Sequence, residues 1–114
     1  MAARKNRLVY SIWSEGGQKL SFSFPLHPHT VAPEHVGEVM DVLLDVLDRE
    51  VSEIGATNGD VLQALAMALA CRAAVMDGSL ETNTALADDL AQEALAAARA
   101  SLAADNMDRS DEER

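Results

Sequence analysis

The chain has 114 residues, a formal net charge of −10 and an apolar fraction of 48%, which predict one globular domain and exclude wholesale disorder. Residues 1–32 carry four cations against one acid, a balance of +3, and residues 33–114 carry 18 acids against five arginines, a balance of −13. Such an acidic body argues against direct binding to nucleic acids or anionic membranes, because both need clustered Lys and Arg. With a single cysteine and no secretory signal, we expect a cytoplasmic protein.

Residues 1–6 are predicted to form a disordered basic tail, and a β-hairpin follows. Arg7–Ser14 and Lys19–Leu26 alternate apolar and polar residues, and two glycines lie between them. A three-residue loop gives the preferred register, because a slip by one residue would turn a whole strand over. Val9 and Trp13 then lie on the outer, serine-rich face, where we expect an interaction surface. Six apolar residues share the inner face: Leu8, Tyr10, Ile12, Leu20, Phe22 and Phe24.

Three helices are predicted after the hairpin. Pro33 suits the first turn of the first helix, and Gly55 terminates it. The second helix begins at Thr57–Asp60, where Thr57 and Asp60 have the spacing of a capping box, and it ends near Asp77. The third begins around residues 82–84 and loses its periodicity near residue 104.

The predicted fold is therefore α+β, with an N-terminal hairpin followed by three helices in the order ββααα. We expect residues 7–104 to form a single domain that dimerisation completes. Residues 105–114 contain five acids and two arginines, and we expect a disordered acidic tail there.

The second helix contains the most informative segment, Val61–Met76. Its sixteen residues include only two polar side chains, Gln63 and Arg72. A helix that is apolar on every side needs cover on every side, and the rest of the chain has few large side chains to supply it. We therefore expect a homodimer with Leu65 and Leu69 in its core. An isolated two-stranded hairpin is also marginal in water, so its free edge is expected to pair with that of the symmetry mate.

Three histidines, His27, His29 and His35, form the best candidate for a metal site in the sequence, with Glu34 and Glu38 nearby. Imidazole is a common zinc and iron ligand, yet no spacing here matches a known ligand motif. Exposed linker histidines are commoner than ligands, so we expect no metal and no cofactor. Cys71 and Met67 lie within the apolar segment and are predicted to be buried packing residues.

Acidic residues line one face of the first helix, at the positions Glu38, Asp41, Asp45 and Asp48. A solvated face opposite the apolar stripe is the favoured interpretation, and Asp45 has the spacing for an ion pair with Arg49. Alternatively, the row holds a basic partner protein.

No motif of nucleophilic, phosphate-binding or metallohydrolase catalysis occurs in the sequence. We therefore expect a non-enzymatic, homo-oligomeric interaction or adaptor module. Two alternatives stay open: a metal- or ligand-binding module that uses the three histidines, and an acidic decoy that mimics a nucleic acid for a basic partner.

Overall fold

The structure is a computed structural model that describes residues 7–14 and 16–113, with the backbone alone for residues 104–113. The predicted tail at residues 1–6 lies outside the described residues. The fold is the predicted α+β arrangement, ββααα. Its elements are β1 (Arg7–Trp13), β2 (Lys19–Pro25), α1 (Pro33–Ile54), α2 (Asn58–Val75) and α3 (Leu80–Glu113).

The hairpin has the register that the sequence predicts. Ile12 lies opposite Leu20, Tyr10 opposite Phe22 and Leu8 opposite Phe24. The Gly17 N–H donates to the Ser14 carbonyl over 3.0 Å. Gly17 has a φ of 84°, the left-handed conformation that the last residue of such a three-residue loop needs. The sequence therefore sets both the turn and the face that each strand residue occupies.

The described residues divide into two compact units. One contains the hairpin and the part of α3 from Leu90 onward, and the other is Glu34–Asp89. In the first unit the apolar face of the hairpin is half-buried. The Ser23 N–H donates to the Ser101 hydroxyl over 3.3 Å, so β2 is tied directly to α3.

The boundaries of α1 and α2 follow local capping chemistry. α1 begins at Pro33 and ends before Gly55, whose φ of 70° is left-handed. Thr57 has extended dihedrals, and its hydroxyl accepts a hydrogen bond from the Asp60 N–H over 3.2 Å. That bond satisfies one of the N–H groups that the first turn of a helix leaves without a partner. Both helix starts agree with the sequence prediction.

The start of α3 differs from the prediction at residues 82–84, because Ser79 supplies the cap. The Ser79 hydroxyl accepts a hydrogen bond from the Thr82 N–H over 3.0 Å, and the helix begins at Leu80. α3 also continues to Glu113, past the end expected near residue 104. No proline or glycine interrupts the sequence from Leu80 to that point, and alanine favours helix throughout much of it.

One polar side chain joins the end of α2 to the start of α3. The side-chain amide of Asn83 donates to the carbonyl oxygens of Ala73, Met76 and Asp77, each over 3.2 Å. These carbonyls have no helical N–H partner beyond the end of α2. Among the side chains that the structure describes, only Ala73 and Asn83 are buried, so this corner is the most enclosed part of Glu34–Asp89.

We predict that Asn83→Ala lowers the free energy of unfolding by about 1–3 kcal/mol, because it leaves partly buried carbonyls without a donor. Thr84→Ala is the matched control. The Thr84 hydroxyl also donates to helix carbonyls, but it is exposed, so its loss should cost within about 0.5 kcal/mol. Urea unfolding at one fixed protein concentration measures both. Equal losses would show that the Asn83 bonds do not hold the corner.

Residues 105–114 are predicted to be dispensable for folding, because Met107 is the sole large apolar side chain among them. Deleting them should leave the melting temperature unchanged within error. Hydrogen exchange on the full chain provides a second measurement. Strongly protected amides across residues 108–113, or a clear drop in melting temperature, would contradict this prediction.

Candidate functional site

α2 exposes apolar side chains on opposite sides. Leu65 and Leu69, the predicted oligomer core, are one turn apart and therefore share a face; they are 37% and 43% exposed. Met67 on the opposite side is 61% exposed, and Val75, which lies between the two faces, is 69% exposed. Within the described chain, Ala73 is the one buried residue of α2. Among the residues that the structure describes, most of this helix is thus left uncovered.

Two packing predictions for α2 are wrong within the chain. Cys71 is a free, exposed thiol, and Met67 is exposed rather than buried. Most of the residues next to them along the helix are alanines. The methyl group of an alanine is too short to cover a neighbouring side chain. The apolar character of Cys71 and Met67 therefore did not lead to their burial.

The outer face of the hairpin combines two apolar residues with polar ones. Val9 and Trp13 are each 71% exposed, and Trp13 lies opposite Lys19 in the ladder. Between them the hydroxyls of Ser11 and Ser21 lie 3.0 Å apart in a hydrogen bond. The structure therefore places Val9 and Trp13 where the register predicts them, on one exposed face of the two-stranded ribbon.

A guanidinium lies across the far end of the same face. Arg7 Nε donates to the Ser23 hydroxyl and Arg7 Nη2 to the Ser23 carbonyl, each over 2.7 Å. A planar guanidinium holds such paired acceptors well. Arg7 is thus engaged with β2.

His27 and His29 lie next to each other in the connector before α1. Their ring centroids are 5.3 Å apart, and the His29 N–H donates to His27 Nδ1 over 3.1 Å. That bond occupies one of the two nitrogens through which His27 could bind a metal. His35 lies in the early part of α1, and the described residues contain no group of three His, Cys, Asp or Glu placed to hold an ion. Metal binding by these histidines stays an alternative hypothesis, and it depends on the His27–His29 pair.

The polar face of α1 is open to solvent. Glu38, Asp41, Asp45 and Asp48 are all exposed, and Asp45 pairs with Arg49 at 3.6 Å. Exposed pairs of this kind contribute little to stability. The row therefore presents its carboxylates to water, and its engagement by a basic partner stays a prediction.

Sequence reasoning missed the exposure of the apolar face of α1. Val36, Val39, Met40 and Leu43 line a shallow, open depression together with His35. A stripe at steps of three and four residues shows that a helix has an apolar face. It does not show where the cover comes from, so no signal in the sequence separates a core stripe from an exposed one.

Within residues 7–14 and 16–113, no helix combines the length and the apolar character that crossing a bilayer requires. Comparison of the chain with protein-family models, curated protein sequences and solved structures finds no match.

We predict that Trp13→Ala keeps the far-ultraviolet circular dichroism of the wild type and weakens self-association, because Trp13 is exposed on the outer face. Phe22→Ala is the contrasting variant: its half-buried side chain lies on the inner face, and its loss should cost ~2 kcal/mol of unfolding free energy. Circular dichroism and sedimentation measure the two effects. A lost fold in Trp13→Ala would place this residue in the core.

Proposed function

We propose that this protein is a non-catalytic interaction module that works as a homo-oligomer, with α2 as its self-association surface. The observation that supports this most directly is the exposure of Leu65, Leu69, Met67 and Val75 on α2, whose only charged residues are Asp60 in its first turn and Arg72 in its last. Monomeric proteins rarely expose large contiguous apolar patches to water, and patches of that kind mark contact surfaces. Fully burying a leucine, valine or methionine side chain contributes roughly 1.5–3 kcal/mol, so association offers a substantial gain here.

Charge favours this helix over the others as the contact between two copies. Between Asp60 and Asp77 the sequence has one charged residue, Arg72, whereas the whole chain has a net charge of −10. Two copies that met through α1 would bring the acidic row of each close to the other. The fully buried cores of protein interfaces are generally depleted of charged residues. α2 is therefore the helix on which two such acidic chains approach with the least repulsion.

The small side chains of α2 also suit a helix partner. Ala66 and Ala70 are both exposed and follow Leu65 and Leu69 along the helix. Small residues let a second backbone approach closely, while leucines from the partner fill the space above them. An adaptor role for the assembled protein, in the cytoplasm and with a basic protein as a further partner, fits the exposed acidic face of α1.

Sedimentation equilibrium at micromolar concentration tests the proposal. The wild type should have a mass that is a multiple of 12.2 kDa. Leu65→Asp and Leu69→Asp should each raise the dissociation constant about thirtyfold or more, since residues at interface centres contribute 2 kcal/mol or more. Met67→Asp probes the opposite face, and a loss there as well would show that both faces are contacted.

Ser52→Asp is the matched control. It adds the same charge at an exposed position on the polar side of α1, so it should leave association unchanged. A wild-type mass of 12.2 kDa at every concentration would overturn the proposal. Equal weakening by Ser52→Asp and Leu65→Asp would attribute the effect to charge alone and remove α2 from the interface.

A further inference from the structure

The two edges of the hairpin differ in how their backbone groups are satisfied. On β2, the Ser23 N–H donates to the Ser101 hydroxyl and the Ser23 carbonyl accepts from Arg7. Lys19 and Pro25 occupy the two ends of the strand, and lysine and proline are residues that protect sheet edges from further pairing. The β2 edge is therefore blocked at its centre and at its ends.

Beyond Arg7 at its first position, the β1 edge has no such protection. The Ser14 N–H donates to the Gln18 carbonyl over 2.8 Å, so Ser14 and Gln18 form a hydrogen-bonded pair. Hydrogen-bonded and non-hydrogen-bonded pairs alternate along an antiparallel ladder. Val9, Ser11 and Trp13 therefore belong to non-hydrogen-bonded pairs, and their backbone N–H and C=O groups point away from β2. No group in the described part of the chain hydrogen-bonds to these backbone atoms. From Leu8 to Ser14 the strand has no proline, glycine or charged residue.

We propose that β1 pairs antiparallel with β1 of a second copy about a two-fold axis at Ser11, which produces a four-stranded sheet in the order β2-β1-β1-β2. This inference rests on the proposed self-association and adds a second contact, distinct from α2. Main-chain hydrogen bonds between edge strands are a recurrent mode of protein association.

The side chains select this register. With Ser11 opposite Ser11 of the second copy, Val9 of each chain lies opposite Trp13 of the other on the outer face. Aromatic and β-branched residues are favourable cross-strand partners, and the pairing joins the two apolar side chains that each chain leaves 71% exposed. A shift that pairs Val9 with Ser11 would oppose Trp13 to Arg7, whose guanidinium is already bound to Ser23.

Charge favours a second copy as the occupant. The edge from Leu8 to Ser14 is uncharged, so two of these strands meet without the repulsion that other parts of an acidic chain would cause. The pairing is also self-complementary, because one axis generates both Val9–Trp13 contacts. An extended segment of another protein would gain the backbone bonds but not this matched pair.

Ser11→Pro and Ser21→Pro form a matched pair of variants. Both residues lie opposite each other in the ladder, both lose the same hydroxyl contact, and both N–H groups point away from the partner strand, where proline is tolerated. Ser11→Pro should raise the dissociation constant at least about tenfold, since the two-fold axis makes each substitution remove two interchain bonds. Ser21→Pro should match the wild type in sedimentation.

Cross-linking keeps the inference testable if Ser11→Pro fails to fold. A directly opposed pair has Cα atoms about 5.5 Å apart, within the range that a disulfide spans. In a Cys71→Ala background, Ser11→Cys should therefore form a covalent dimer with oxidised glutathione, which takes up the two electrons and releases two reduced glutathiones. Ser21→Cys in the same background should stay uncross-linked.

The outcomes separate this inference from the proposed function. If Leu65→Asp abolishes association while Ser11→Pro associates as the wild type does and Ser11→Cys gives no covalent dimer, the β1 pairing is wrong and self-association through α2 stands. If Ser21→Cys cross-links as efficiently as Ser11→Cys, the edge assignment is wrong. If the wild type is monomeric throughout, both proposals fail together.

Discussion

The structure depends on one constraint, namely how much apolar surface the chain can cover with its own side chains. All four aromatic side chains lie within the first 24 residues, and three of them form the half-buried inner face of the hairpin: Tyr10, Phe22 and Phe24. The unit Glu34–Asp89 contains no aromatic residue and many alanines. Short side chains cannot reach across to shield a leucine on a neighbouring helix. The apolar faces of α1 and α2 consequently stay open within the chain.

The polar groups at the helix ends, in contrast, are satisfied by local hydrogen bonds. Thr57 and Ser79 cap the starts of two helices, and the Asn83 amide serves three carbonyls at the end of α2. No buried polar side-chain atom in the described residues lacks a partner. Local hydrogen bonds therefore fix where the helices begin and end, whereas their apolar faces stay incompletely buried. This combination is what an interaction module requires: elements with fixed shape and surfaces that gain from contact.

The distribution of charge restricts where that contact can form. Acids cover the polar face of α1, while α2 between its first turn and its end has one charge and β1 from Leu8 to Ser14 has none. Repulsion between two acidic chains opposes a contact through α1, and it does not oppose a contact through α2 or β1. Both proposed contacts lie on these elements of low charge, and they use different forces. α2 offers apolar side chains, and β1 offers unpaired backbone groups.

The sequence by itself determined the element order, the hairpin register and the starts of α1 and α2. Each of these depends on interactions between near neighbours: strand alternation, the left-handed Gly17, and the hydroxyl of Thr57 three residues before the N–H it binds. The start of α3 belongs to the same class, because the Ser79 hydroxyl likewise lies three residues before the Thr82 N–H that it caps.

Only the tertiary structure decided which apolar residues are covered. It showed Cys71 and Met67 exposed, Asn83 buried, and the β2 edge closed by Ser101, which lies 78 residues away in the chain. Periodicity identifies the face that an element must bury, because side-chain direction follows from local geometry. Burial itself depends on large side chains arriving from distant parts of the chain, and no local pattern specifies whether they arrive.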